Sequence, residues 1–464
     1  MNFDTAVSEM KESIINSTQE LIKIKSVKSN FSEGKPFGQG INNALEYILN
    51  LSNNLGFTTK NLDGYIGYAE YGKGEKLIGI LVHLDVVPEG EGWLHPPYSG
   101  NVVDEKIFGR GAIDDKGPAI AAVYALKAIK DSGINLNSRV RIIFGLDEES
   151  GSRCMQYYRN NEEIPACSFV PDANYPVINA EKGILTFKLE KNLKQSSNNI
   201  ITSILGGSRH NIVPDFSEAA LKASPQMAEQ IKQKFIDFFN KTQFDMEIDY
   251  SSDRLLIKSY GIASHASLPD KGVNAISQLM LFLNELNITD ELGKFIQFYS
   301  GRIGMEYMGA SLGCSYSDDL SGNLTLNAGI VNMSKDKIEV TVDIRYPVKY
   351  KAEDIITKIK DSVDHFGISI TNIKDVKPLF MPPESDLVEN LMEVYTDFTA
   401  QRTKPISIGG GTYARSMPNA VAFGAIFPGE PELAHQKDEY ISIDSLIKNT
   451  QIFARAIYKL AQQQ

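Results

Sequence analysis

Apolar residues spaced three and four apart predict an amphipathic helix over roughly 3–24 and a second over 40–55. The next apolar run, KLIGILVHLDVV, reads as a short buried strand. DDKGPAIAAVYALKAIKDSG returns to helical spacing and stops at Gly133, a glycine C-cap signal. RVRIIFGLDEESG has a β-branched and aromatic core followed by acids, the pattern of a buried strand running into a polar loop. A third apolar stretch, CSFVPDANYPV, ends in the same way at Pro171 and Asp172. Helix alternating with strand predicts an α/β domain. From about 182 to 378 the texture changes to strand-like runs (ILTFKLEKN, IEVTVDIRY, ISITNIKDV) mixed with helices such as MAEQIKQKFIDFFNK and GVNAISQLMLFLNEL. The remainder returns to helix and strand around SIGGGTYARSMPNAVAFGAIFPG and closes with the amphipathic SIDSLIKNTQIFARAIYKLAQ. The expected organisation is an α/β fold in which one discontinuous domain, 1–181 plus 379–464, carries an inserted α+β lid, 182–378.

Composition narrows the partners. A chain of 464 residues is too long for one ordinary core, and 42% hydrophobic with 23% charged residues sits near globular averages, against disorder or coiled coil. The net charge of −11 repels phosphate backbones and anionic headgroups, so neither nucleic acid nor a membrane is an expected partner. Cys154, Cys167 and Cys314 form an odd set without a CxxC pair, which argues against a disulfide framework and a thiolate zinc cluster and fits a reducing cytoplasm. The N-terminal stretch has acids in place of a basic stretch and apolar run, so no signal peptide is expected, and no window offers about 18 uninterrupted apolar residues.

Candidate chemistry gathers where the predicted strands end. His83 follows one strand, with Asp85 two positions on, able to accept from the ring's other nitrogen. Asp114 and Asp115 open a helix, Asp147, Glu148 and Glu149 follow the second strand, Asp172 the third, and His435 comes after AVAFGAIFPG. Singly these are a helix N-terminal acid pair, a solvated acidic loop, a turn former and a structural histidine. Together, at the carboxyl ends of strands where α/β sheets bind ligands, they form a mixed N/O set suited to a pair of divalent ions.

The segments LVHLDVVPEGEGW, FGRGAIDDKGP, LDEESG, VPDA and AHQKDE stand in an order and at a spacing that resemble the dinuclear metallopeptidases of the aminoacylase, carboxypeptidase and succinyl-diaminopimelate desuccinylase group, and most of all its bacterial PepV-type dipeptidases. The resemblance implies a metallopeptidase catalytic domain whose lid is built as two ferredoxin-like halves. It implies two divalent ions, zinc first, with manganese or cobalt as alternatives. His83 and Asp172 would bind one, Glu149 and His435 the other, and Asp114 would bridge them. Asp85 would orient His83, Glu148 would be the general base toward a metal-bridging water, and the peptide between Asp114 and Asp115 would be cis. In the lid, GIASHASLPDKGVNAI would bring His265 to the oxyanion. Asn211 in SRHNIVPD would hold the scissile carbonyl, and Arg345 in VDIRYP would fork onto the substrate's terminal carboxylate, joined by backbone N–H groups of Gly409, Gly410 and Gly411. His95, His210 and His365 receive no catalytic role, and Trp93 is expected to pack its loop.

The function this implies is hydrolysis of unblocked dipeptides by a cytoplasmic enzyme. An N-acyl amino acid deacylase on the same scaffold is the alternative, and a non-catalytic binding protein would lack one of the positions that are all filled here. By the same resemblance, the stretch between about 190 and 260 would belong to an enlarged lid that supplies from one chain what other members gain by dimerising, which implies a monomer.

Overall fold

A computed structural model describes residues 3–193 and 200–462. The part of the long 190–260 stretch at 194–199 therefore lies outside the described residues. The chain forms two compact units, one of Met1–Ala180, Phe380–Ile406 and Gly411–Gln464, the other of Glu181–Leu379 and Ser407–Gly410. The short return of 407–410 to the second unit differs from the sequence-based boundary. Its backbone is what holds it there: Lys182 N–H donates to Ile408 O at 3.0 Å, and Arg345 Nη1 donates to Gly409 O at 2.8 Å.

In the first unit the sheet is mixed, and its centre is parallel. Arg139–Gly145, Leu77–His83, Cys167–Val170 and Ala420–Phe423 lie side by side with parallel pairing throughout. Every residue of Leu77–His83 is buried, which is why this strand reads as an unbroken apolar run. Antiparallel Ile66–Gly72 and Thr58–Leu62 extend one side. Helix Lys116–Asp131 packs against the last helix, Ile443–Ala461. Gly133 beyond the former has φ +69°, as its terminating role requires. The predicted first helix is two, Phe3–Glu9 and Lys11–Lys23, because Met10 N–H closes a tight three-residue turn onto Val7 O. A three-stranded sheet, Val102–Val103, Lys106–Phe108 and Tyr440–Ser442, zips together two segments far apart in sequence.

The second unit is one eight-stranded antiparallel sheet. Its halves, Met246–Ser251, Arg254–Tyr260, Phe216–Lys222 and Ile201–Gly206 on one side, and Thr325–Met333, Lys337–Tyr346, Gly183–Asn192 and Ser369–Val376 on the other, join where Leu205 and Gly206 pair with Asn332 and Val331. Helices Pro225–Thr242 and Ala275–Asn284 pack on the first half, Glu291–Arg302 and Ala352–Val363 on the second. Strand Gly183–Asn192 alternates buried with half-buried residues, the period of two that a one-sided core imposes.

Phe169 is fully buried on a central strand of the first unit, between Phe423 and Phe453 at centroid distances of 6.0 and 5.8 Å. Phe169→Ala is expected to remove about 3–5 kcal/mol of that unit's stability, read as an earlier denaturant midpoint.

Candidate metal centre

His83 is the last residue of its strand and is held on three sides. Its backbone N–H donates to Asp115 Oδ2 at 3.0 Å. Its Nδ1 lies 2.9 Å from Asp85 O, and since a carbonyl only accepts, the proton sits on Nδ1 and the other ring nitrogen carries a lone pair when the ring is neutral. That nitrogen, Nε2, is buried and makes no hydrogen bond among the described residues, although Asp114 Oδ1 lies 2.9 Å away and Asp172 Oδ2 3.6 Å away. Nitrogen and oxygen so close without donor–acceptor alignment are placed as ligands of a common third atom are.

The other oxygen of Asp114 faces the second histidine. Oδ2 is 3.2 Å from His435 Nε2, which is also 3.0 Å from Glu149 Oε1. Asp114 thus belongs to two groups that could each hold a cation, His83–Asp114–Asp172 and Asp114–Glu149–His435. The orphaned Nε2 and the N/O donor set both fit a divalent ion.

Parallel pairing delivers these side chains to one place. His83, the 147–149 loop and Asp172 all leave the carboxyl ends of adjacent strands. Asp114 and Asp115 precede helix Lys116–Asp131, and the peptide between them is cis. Asp115 occupies the N-cap position without capping, because its carboxylate is turned to His83 N–H. The expected contact between the Asp85 carboxylate and His83 is replaced by the carbonyl bond, with Asp85 Oδ1 3.6 Å from Nδ1. The carboxylate oxygens are engaged elsewhere: Oδ1 accepts from Glu148 N–H and Oδ2 from Glu149 N–H, both at 3.1 Å. Asp85 therefore fixes the loop that carries Glu148 and Glu149.

Burial and charge set the proton affinities. Burial works against the imidazolium of His83, yet the carboxylates of Asp114, Asp172 and Asp85 outweigh it and hold its pKa well above the ordinary value. Burial likewise opposes protonation of His435, and Asp114 and Glu149 push it up to about 11. Asp114, drawn down by both histidines against its burial, stays ionised. Glu148 lies outside both groups. Burial drives its carboxyl well above the usual carboxylate range, with His83 opposing and Asp172, Glu149 and Asp114 reinforcing.

Arg110, Glu439 and Tyr413 support the site without a signal in the linear pattern, whereas Asp147 stands in the acidic run that the sequence already marked. Glu439 Oε1 accepts from Ile113 N–H at 3.0 Å and Asp114 N–H at 3.3 Å, while Oε2 accepts from Arg110 Nη1 at 2.6 Å across 329 residues of sequence. Asp147 is buried, receiving Lys28 Nζ and Ser150 Oγ at 2.6 Å and Arg153 N–H at 3.1 Å. Tyr413 stands edge-on to His83 and bonds Cys154 Sγ at 3.0 Å. A Cβ on Gly145 would meet the Tyr413 hydroxyl at 2.3 Å, so the strand end beside the acidic loop admits only glycine. Trp93 packs its loop through Nε1–H to Glu89 O at 2.7 Å, His95 stacks on Phe108, and His365 lies in a short helical turn, Asp364–Phe366.

The second unit gathers its own set. Ile212 and His265 are bridge partners, and Ala266 N–H donates to Asn211 O at 2.9 Å, which makes Asn211 and His265 neighbours. His265 Nδ1 lies 2.6 Å from Ser267 Oγ, and a Cβ on Gly409 would come within 2.5 Å of Ser267 Cβ. Arg345 is buried, its Nε and Nη2 on the two oxygens of Asp343 at 2.6 and 3.2 Å and its Nη1 on Gly409 O. Among the described residues three of its five guanidinium N–H bonds are engaged, leaving one on each terminal nitrogen. His210 Nδ1 meets Asp343 Oδ2 at 3.1 Å. Gly410 belongs to this unit and Gly411 to the other.

The family model of peptidase family M20/M25/M40 matches residues 79–459. The chain is 41% identical over 468 residues to "Putative dipeptidase YtjP" of Bacillus subtilis (strain 168), covering 100% of both. Human carnosine dipeptidase 1 superposes with a TM-score of 0.60 at 14% identity, over 99% of this chain and 98% of that one. The YXEP protein of Bacillus subtilis, described as a dinuclear metal binding peptidase from the M20 family, does so at 0.51 and 12%, over 98% and 99%. The chain belongs to peptidase family M20/M25/M40 and is a peptide-bond hydrolase.

Cation uptake by this cluster is expected to release protons at pH 7. Both histidines have raised pKa values and hold protons there in the cation-free protein, whereas a ligating imidazole is neutral. Calorimetric titration with zinc should give enthalpies that differ between PIPES and HEPES in line with the buffers' ionisation enthalpies, and buffer-independent enthalpies would contradict this.

Proposed function

We propose that the chain is a dipeptidase acting on unblocked dipeptides at two divalent cations, one held by His83 and Asp172, the other by Glu149 and His435, with Asp114 shared. The observation that carries this reading is the Asp114 carboxylate, whose two oxygens face two different histidines. The name of the full-length relative and the dinuclear description of a family member support it. Imidazole with carboxylate favours zinc, with manganese and cobalt as alternatives. Bound there, two such ions would supply Lewis acidity at the scissile carbonyl and would lower the pKa of the attacking water toward about 7.

The rest is the work of side chains. Glu148 takes a proton from the attacking water and passes it to the amine nitrogen as the C–N bond breaks. Asp85 keeps Glu148 in place through the backbone. His265 donates to the oxyanion, a contact worth about 2.7–4 kcal/mol of barrier, and Asn211 beside it steadies the carbonyl. Asp343 and Gly409 aim Arg345 so that its two remaining N–H groups meet the substrate's C-terminal carboxylate end-on, a pairing lysine cannot copy. Backbone N–H groups of Gly409, Gly410 and Gly411 complete that carboxylate site. Recognition of a free terminus restricts substrate length. Cytoplasmic residence suits three free cysteines, and an eight-stranded sheet built from one chain supports a monomer.

Glu148→Gln is expected to lower kcat about 10²- to 10⁴-fold with KM little changed, and a near wild-type rate would falsify the base assignment. Arg345→Lys should raise KM for a free dipeptide about ten- to a hundredfold, the equivalent of one charge-assisted hydrogen bond, and leave a C-terminal amide almost unaffected. Faster hydrolysis of an N-acetylated dipeptide than of the free one would replace the dipeptidase with a deacylase.

A further inference from the structure

The two candidate cation subsites are built from different material. His83 ends a fully buried strand and is 1% exposed, and Asp172 follows the neighbouring strand, so the inner subsite rests on the sheet. In the outer one, His435 is 49% exposed, has φ +65° and sits in irregular backbone between Ala425–Ile426 and Tyr440–Ser442. Among the described residues, His435 lies outside regular structure, and a buried ion pair ties its segment to that of Asp114. Glu439 receives the N–H groups of Ile113 and Asp114, Arg110 Nη1 closes on its other oxygen, and Arg110 Nη2 donates to His435 O at 3.1 Å. Gly109 N–H donates to Glu439 O at 2.9 Å, continuing the pairing of Tyr440 with Phe108. The pair is buried, with Arg110 2% and Glu439 0% exposed.

We propose that Arg110 and Glu439 are positioning residues for one cation of the two, the outer one bound by Asp114, Glu149 and His435. This rests on the dinuclear reading above. Asp114 serves both subsites, and what is particular to the outer one is His435: Arg110 Nη2 holds its carbonyl and Glu439 holds Arg110, so loss of either releases the outer imidazole. The inner subsite keeps His83, itself tied to Asp115 and Asp85. Trp93, the sole tryptophan of the chain, has its ring centroid 5.2 Å from the Arg110 guanidinium and reports on this pair from the outside.

The test is zinc titration of the stripped full-length protein by calorimetry, with Trp93 emission followed in parallel. Wild type should bind two ions. Glu439→Gln should weaken one step about 10- to 100-fold, the usual effect of losing an outer-shell partner, and shift the other less than about threefold. Emission should change with the step that the variant weakens. If Glu439→Gln does not fold, Arg110→Lys, which keeps a cation beside Glu439 but lacks the second arm to His435 O, should weaken the same single step. Equal weakening of both steps, weakening of neither, or emission that follows the unaffected step overturns the assignment and leaves the dinuclear reading intact. A wild-type stoichiometry below two removes both.

Discussion

One carboxylate between two imidazoles organises the first unit. Asp114 can present an oxygen to His83 and the other to His435 only if its backbone is held on both sides, and it is: Glu439 takes its N–H, and the next residue, Asp115, takes the N–H of His83. The demand spreads outward from there. His83 must end a strand, Asp85 must turn a carbonyl to its ring, and the loop after the neighbouring strand must be tied down by the Asp85 carboxylate. Parallel strands meet all of this economically, since adjacent carboxyl ends point the same way and bring distant residues to one edge.

The same crowding explains the electrostatics. Acids packed in a buried space cannot all ionise, so burial and mutual repulsion raise Glu148, Glu149 and Asp172, while Asp114 stays charged because two histidines adjoin it. Protons held on the histidines balance the cluster in the absence of a cation. A cluster of this kind is costly to fold around and is retained for chemistry.

The second unit solves a related problem with one acid. Asp343 is fully buried and joins Arg345 to His210, so a buried guanidinium is compensated and aimed at once. Its broad side faces Asp343, and only the ends of the fork remain for a ligand. Gly409 closes the arrangement from a short segment, Ser407–Gly410, that returns to this unit after a long excursion.

Much of this was legible in the amino-acid order. The buried strands Leu77–His83 and Arg139–Gly145, the helix ending before Gly133 and the change of texture near 182 follow from local spacing, because periodicity reports which face an element buries. The polar residues at the strand ends were visible for the same reason, and the motif order carried the family. What the chain order could not convey was which acid does what. Asp85 looked like a carboxylate partner for the His83 ring; its carbonyl takes that place while its carboxylate holds the backbone of Glu148 and Glu149, and Asp115 looked like a helix cap and serves His83. Arg110 with Glu439, and Asp147 with Lys28, are pairs whose members stand far apart in the chain, and a charged residue in sequence carries no mark of the partner it will be buried against. Side-chain spacing sets the elements, but hydrogen-bond partners are chosen by which strand ends and loops the sheet brings together, and that is decided only when the chain has folded.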